Sequence, residues 1–422
     1  MGRQFEVAIV GAGPAGCALA TLLALQGRRV VVFDDEKRPD LIVGESLVPG
    51  VIPFLRELGV EEQVAAVSQF KPGASFYHGN GTKIDFCFRT VERQLPGYAY
   101  NVPRKQFDQI LRDRAEEVGA VFIRHRAQLE RKARSGVALS KASRSAADLA
   151  EDCEPFLVDA SGRARVFSRL LELKAARGGR DDVAYFAHFE GFDHSGVPEG
   201  QVIISVLNAG WSWRIPLRDR LSVGIVISKE HARTLGEASE ERLMNAIARE
   251  PLLAERGRHA QRVSEVMTYT NYQLLSEAGH GSGWALVGDA FGFVDPMLSP
   301  GLFMSLQSAS SLAAVLLGKS SFASYDADFK AWHRAWGEVV SYFYNGKIFQ
   351  ADLGRRGMLE MRAEGSFARR VGDHITFHLS SMLCGGNTRR WYSQNLVKAL
   401  MRFGGYGVPA PENFCIRDLA AA

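Results

Sequence analysis

The chain has 422 residues, 46% of them apolar, with a formal net charge of +4 and a mean hydropathy near zero. That is enough length for two or three domains' worth of core; no apolar run reaches the ~20 residues of a membrane span, and the charge is too small and dispersed for a nucleic-acid surface. The five cysteines, Cys17, Cys87, Cys153, Cys384 and Cys415, form no C-x-x-C pair, which argues against both a zinc site and a disulfide framework.

The first predicted strand, Phe5–Val10, is apolar and rich in β-branched residues. It begins almost at once, with no basic, apolar and cleavage-site succession before it, which predicts a cytoplasmic protein. Gly11, Gly13 and Gly16 follow at G-x-G-x-x-G spacing. Gly11 permits the tight turn, Gly13 lets backbone approach a pyrophosphate, and Gly16 lets helix and strand pack closely. A helix from Ala15 to Gln26 then aims its free N–H groups at the phosphates. A second strand, Arg29–Phe33, ends at Asp34, 18 residues past Gly16, where a carboxylate can bind a ribose hydroxyl.

Beyond this unit the period changes. Residues 71–100 alternate like strands of a different sheet. Arg104 opens a helix running to Gly119, and 131–150 reads as a surface hairpin or loop. Residues 171–280 read largely as strands, among them Gly200–Leu207, Gly210–Pro216 and Leu221–Ile227. On the strand Gly210–Pro216, Trp211 and Trp213 share a face. The strand and turn Trp284–Ala290 carries Gly288-Asp289-Ala290 into a helix. From Tyr325 the pattern is helical, with Trp332, Trp336, Phe343 and Phe349 among its aromatic residues. Three units result: residues 1–70, 101–170 and 281–325 form a dinucleotide-binding domain; 71–100 and 171–280 form a β-sheet substrate domain; 326–422 form a helical C-terminal region. The fold class is α/β. His374 and His378 stand at i, i+4 on one helical face, but Ile375 occupies the place where a zincin carries glutamate, so no metal is expected.

Gly288-Asp289-Ala290 resembles the segment that places an aspartate near the FAD ribityl chain in two-dinucleotide-binding flavoproteins. Val158-Asp-Ala-Ser-Gly-Arg163 resembles the inner Asp-Gly segment of that class, and Arg104 its cofactor-reaching arginine. FAD is therefore the expected cofactor.

From residue 3 to about 310 the chain more specifically resembles the flavin-dependent halogenases. Gly44-Glu45-Ser46, Lys71 in Phe-Lys-Pro-Gly-Ala, Trp211-Ser-Trp213-Arg-Ile-Pro216 and the loop Gly292-Phe-Val-Asp295-Pro296-Met-Leu-Ser299-Pro300-Gly301 carry the resemblance. It implies that Glu45, Ser46, Pro296, Gly301 and Leu302 lie beside the flavin. It further implies that backbone around Ser299, Pro300, Gly301 and Leu302 binds halide, that Lys71 handles hypohalous acid, and that Trp211 and Trp213 wall the flavin from substrate. No second glycine-turn unit for a nicotinamide cofactor is evident, so either NAD(P)H binds transiently or reduced flavin arrives from a separate reductase; the resemblance implies the second route. Family members acting on free tryptophan carry a glutamate where this chain has Leu298; the leucine implies an electron-rich phenol or pyrrole, free or tethered to a carrier protein. Two other activities use such a fold: aromatic hydroxylation, and reduction of polyisoprenoid double bonds as in geranylgeranyl reductases. Lys71 and the tryptophan pair argue against the first; the tryptophan pair and the absence of a broad apolar surface signal argue against the second.

Overall fold

Runs of buried β-branched residues with no polar face make interior strands of a parallel sheet, and the first such run does so here. In the computed structural model, which describes residues 2–37, 39, 41–78, 83–132, 136–207, 210–270, 273–352 and 366–403, Val7–Val10 lies between Phe156–Asp159 and Val30–Asp34, parallel to both. Val121–Arg124 and Trp284–Leu286 extend the sheet, and antiparallel His280–Gly281 completes its six strands. The glycine-loop helix spans Pro14–Ala24. It packs against the helices Arg104–Glu117 and Pro300–Leu316. Proline at its first turn suits a position whose N–H is unpaired in any case.

A second sheet of eight strands covers this unit. Its centre is antiparallel, Asp182–Glu190, Leu221–Ser228, Gly210–Pro216 and Val202–Leu207 in that order. Val202–Leu207 then pairs in parallel with Gly73–Tyr77, which pairs with Lys83–Cys87. The central strands are buried on both faces. The reason is a second apolar core behind the sheet, where Val183, Val223 and Ile225 meet Leu243 and Ile247. Leu243 and Ile247 belong to the helix Ser239–Arg249, which with Lys229–Arg233 and Pro251–Arg256 interrupts a region expected to be mostly strand. The i, i+3, i+4 spacing of Leu243, Ala246 and Ile247 behind acidic Glu240 and Glu241 is the helix signal there.

Other boundaries also shift. The 131–150 segment contains the expected hairpin, Leu129–Lys132 with Gly136–Leu139, but also a short helix, Lys141–Ala146, capped by the Ser140 hydroxyl. Lys71 is not in the large sheet: Gln69–Lys71 pairs with Ala99–Asn101 in a separate two-stranded ladder. The C-terminal helices Phe322–Tyr344, Ser366–Leu383 and Trp391–Phe403 add Trp336, Met382 and Val397 to the main apolar core. The Tyr325 hydroxyl donates to Leu286 O at 2.6 Å, tying the first of them to the parallel sheet. No helix is long and apolar enough to cross a membrane among the described residues. Four cysteines, Cys17, Cys87, Cys153 and Cys384, are free thiols; Cys415 lies outside the described residues.

The register that builds the tryptophan strand places Trp213 opposite Gly224. A Cβ at Gly224 would fall 2.2 Å from the Trp213 ring, so the indole occupies the space a side chain would need. Gly224→Ala is therefore expected to cost about 1–3 kcal/mol by overpacking, read as a lower denaturant midpoint. An unchanged midpoint would show that the ring has room to move.

Candidate active site

Two cavities meet where the two sheets face each other. The larger is lined by Gly13, Ala15, Arg104, Asp289, Glu45 and Ser46 on one side and by Trp211, Trp213, Pro296, Gly301 and Leu302 on the other. The smaller is lined by Lys71, Phe76, Phe86, Phe88, Leu383 and Cys384. Ser46, Val202, Ile204, Leu298 and Ser299 border both.

The glycines divide their duties. Gly11 has φ +111°, and a Cβ there would lie 2.5 Å from Ala160 O; one at Gly16 would lie 2.1 Å from Gly11 O. These two, with Gly288 against Ala15, serve close packing. Gly13 instead has open space where a Cβ would stand. As a cap with no side chain, it leaves the first N–H groups of its helix facing the cleft. Asp289 sits nearby with no hydrogen bond or ion pair among the described residues. Burial raises its carboxyl to about 6, against the opposing charges of Arg163 and Arg104. An unpartnered acid and an uncapped helix in one cleft match the hydroxyls and pyrophosphate of FAD. Arg104 is fixed by Asp108 at 3.0 Å and by Val43 O. Asp34 does not line the cleft: its carboxylate pairs with Arg112 at 2.6 Å and accepts from Glu36 N–H.

The loop 292–301 is narrower in its chemistry than the sequence implied. Leu298 and Ser299 are consecutive residues at positive φ, 68° and 58°, a strained turn that starts the helix Pro300–Leu316. Ser299 N–H is already bonded to Pro296 O at 3.0 Å. Pro300 has no N–H and does not line the cleft. The donors left for an anion at this uncapped helix start are Gly301 and Leu302.

Lys71 is buried. Its Nζ donates to Ser46 Oγ and to Leu47 O, both at 2.7 Å, and lies 5.1 Å from the centre of the Phe88 ring. Burial pulls the ammonium down to about 7. The strand Ala99–Asn101 sets this geometry, because it pairs with both partners: Lys71 opposite Ala99, and Ser46 bridged to Asn101. Leu47 N–H to Tyr100 O and Val102 N–H to Glu45 O complete the ladder.

Trp211 and Trp213 face the larger cavity, 5.8 Å apart with ring planes tilted 46°. Trp213 donates to Ser222 Oγ at 3.2 Å. Trp211 donates to the Tyr344 hydroxyl at 3.0 Å, and Tyr344 in turn donates to Asp295 at 3.0 Å. Asp295 also accepts from Gln273 and from Met297 N–H. A C-terminal helix, the tryptophan strand and the loop 292–301 are thus bonded through one phenol. Glu45 meets His188 Nε2 at 2.7 Å; Arg220 donates to His188 Nδ1, so Nε2 carries the proton and donates to Glu45. Tyr344, His188 and Arg220 carried no sequence signal, since each is distant in the chain from its partner. On the helix Ser366–Leu383, His374 bonds Tyr392 and His378 bonds Ser393. Among the described residues no group of three potential ligands could hold a metal.

A family model described as an FAD binding domain matches residues 4–324. A tryptophan 2-halogenase of Chondromyces crocatus is 29% identical over 357 residues, 80% of this chain and 67% of that protein. A 1H-pyrrole-2-carbonyl-(peptidyl-carrier protein) chlorinase of Pseudomonas fluorescens is 27% identical over 383 residues, 82% of this chain and 85% of its own. The crystal structure of a flavoprotein/dehydrogenase from Cytophaga hutchinsonii aligns with a TM-score of 0.78 at 25% identity, over 96% of this chain and 100% of that one.

Asp289 gives the site a pH signature. A carboxyl raised from 3.8 to about 6 in the folded state binds its proton more tightly there than in the unfolded chain. Folding stability of the FAD-free protein therefore falls as pH rises from about 3 to 7, by about 3 kcal/mol in all at 1.36 kcal/mol per pKa unit. Asp289→Asn should remove that slope in urea titrations and weaken FAD retention. If both proteins show the same slope, the carboxyl is not the titrating group.

Proposed function

This chain belongs to the FAD-binding domain family, and on that premise we propose that it is a flavin-dependent halogenase acting on an electron-rich aromatic ring, a phenol or a pyrrole. The observation that carries the reading is the buried amine of Lys71, which lines a second cavity separated from the flavin cleft by the walls the two share. FAD, delivered reduced by a separate flavin reductase, supplies the reduction of oxygen that turns a halide into hypohalous acid.

The chain's residues divide the remaining work. Gly301 and Leu302 N–H groups hold the halide at a helix start. Trp211 and Trp213 close the flavin side, so oxygen is not passed directly to substrate. Hypohalous acid moves along the shared border at Ser46 and Ser299 into the smaller cavity. There the ammonium of Lys71, with two N–H groups spent on Ser46 and Leu47, has a third to offer the oxidant in surroundings without competing water. Phe76, Phe86 and Phe88 suit a flat aromatic substrate. Leu298 can neither accept a hydrogen bond nor act as a base, so the ring must bring its own electron density. The chlorinase relative acts, by its name, on a pyrrole borne by a carrier protein, and a carrier-tethered substrate is part of this proposal, as is a cytoplasmic setting.

Mass spectrometry of products formed with a flavin reductase, NADH, oxygen, bromide and a panel of free and carrier-loaded phenols and pyrroles tests the reading. Lys71→Ala should lower halogenated product at least ~100-fold while FAD absorbance and oxygen consumption persist. A variant that still halogenates removes Lys71 from the mechanism. A halide-independent product heavier by one oxygen would mean a hydroxylase, and one heavier by two hydrogens a double-bond reductase. Because the donor is the ammonium and burial sets it at about 7, halogenation by the wild type should fall as pH rises through 7. A rate that rises through 7 would instead assign the work to the free amine.

A further inference from the structure

The back of the tryptophan strand holds a buried cation with no counterion. Arg214 alternates with Trp211 and Trp213 and so faces away from the flavin cleft. It is 2% exposed, its Nε has no hydrogen-bond partner, and among the described residues no ion pair involves it. Directly across the strand pair, Ser205 stands opposite Ser212 on the same face as Arg214. Both serines are buried, and both hydroxyls are unsatisfied. Behind them Arg256 adds a further unpartnered Nε. Five of the ten unsatisfied buried side-chain atoms among the described residues belong to this neighbourhood, the fifth being His194 Nδ1. Such a concentration calls for an occupant rather than five separate defects.

The charges decide what the occupant is. Those that act on Arg214 come from Arg256, Tyr77 and Asp193. Asp193 is the single carboxylate, and it is already held by Arg256 and by Ser195 N–H. Two guanidinium groups thus share one carboxylate, leaving a positive surplus where an uncompensated charge is costly. His194 donates through Nε2 to Gln201 O at 2.7 Å, so its Nδ1 is an acceptor and takes no part in holding an anion. The unsatisfied groups of Arg214, Arg256, Ser205 and Ser212 can all donate a hydrogen bond. Directly opposed strand residues stand only ~5 Å apart at Cβ, which suits a monatomic ion better than a branched oxyanion.

We propose that Arg214, Ser205 and Ser212, with Arg256, form a second, structural halide site on the reverse face of the sheet that bears the tryptophan pair. The proposal rests on this geometry and not on the halogenase reading, and its test requires no turnover. Crystals of the full-length protein soaked in sodium bromide, measured at the bromine absorption edge, should show an anomalous peak within hydrogen-bond distance of Arg214 Nε and both serine hydroxyls. In solution, replacing sodium methanesulfonate with sodium bromide at constant ionic strength should raise the wild-type Tm by about 2 °C or more. Ser205→Ala/Ser212→Ala should lose most of that shift. This double variant keeps the buried arginine and serves where Arg214→Met fails to fold. No bromide peak at Arg214, with water on the serine hydroxyls instead, overturns the proposal. A bromide shift of equal size in the wild type and the double variant also overturns it. A peak at Arg214 in a protein that yields no halogenated product would retain this site while rejecting the function proposed above.

Discussion

One buried ammonium, held by a serine hydroxyl and a backbone carbonyl, is the constraint around which the site is arranged. A lysine can stay in a dry cavity only if its N–H groups find acceptors. Here two acceptors come from residues 46 and 47, and their position depends on the strand Ala99–Asn101. That strand is the jig: it bonds to the lysine segment along one side and to the Glu45–Leu47 segment along the other. Three stretches far apart in sequence become neighbours through main-chain hydrogen bonds, and the chemistry of the smaller cavity follows from that alignment.

The second organising device is the division of labour along one strand. Its inward face carries two indoles, one pressed onto a glycine and one tethered through Tyr344 to Asp295. Its outward face carries serine and arginine. Burial on both faces is possible because helices from residues 229–256 cover part of the outer side. Strand periodicity alone does not distinguish a half-buried strand from one that is buried twice, and the sequence reading accordingly missed those helices.

What could be read in advance was local chemistry at fixed spacing. The glycine loop, Asp289, Lys71 and the tryptophan pair each sit in a short segment that residue types alone single out, and the structure gathers them around two adjoining cavities. What escaped was everything made by two distant segments meeting. Tyr344 on Trp211 and His188 on Glu45 are long-range pairings with no local pattern. Asp34 shows the converse: its position after the second strand is regular, yet Arg112, eight residues into a helix begun by Arg104, takes its carboxylate. Pro300 was legible but overread, since a proline at a helix start contributes shape and no N–H.

Leu298 lies on a strained turn with its side chain bordering both cavities. On the function proposed above, a wall so placed would serve as a sieve, passing a triatomic oxidant while holding an aromatic ring back. A flavin in the larger cavity would then have no direct means of sensing whether the neighbouring chamber is filled. Cofactor loading and substrate loading would become independent events. Reducing equivalents would be consumed even with the second chamber empty, and the efficiency of such an enzyme would be governed by how well the supply of reduced flavin is matched to the supply of substrate.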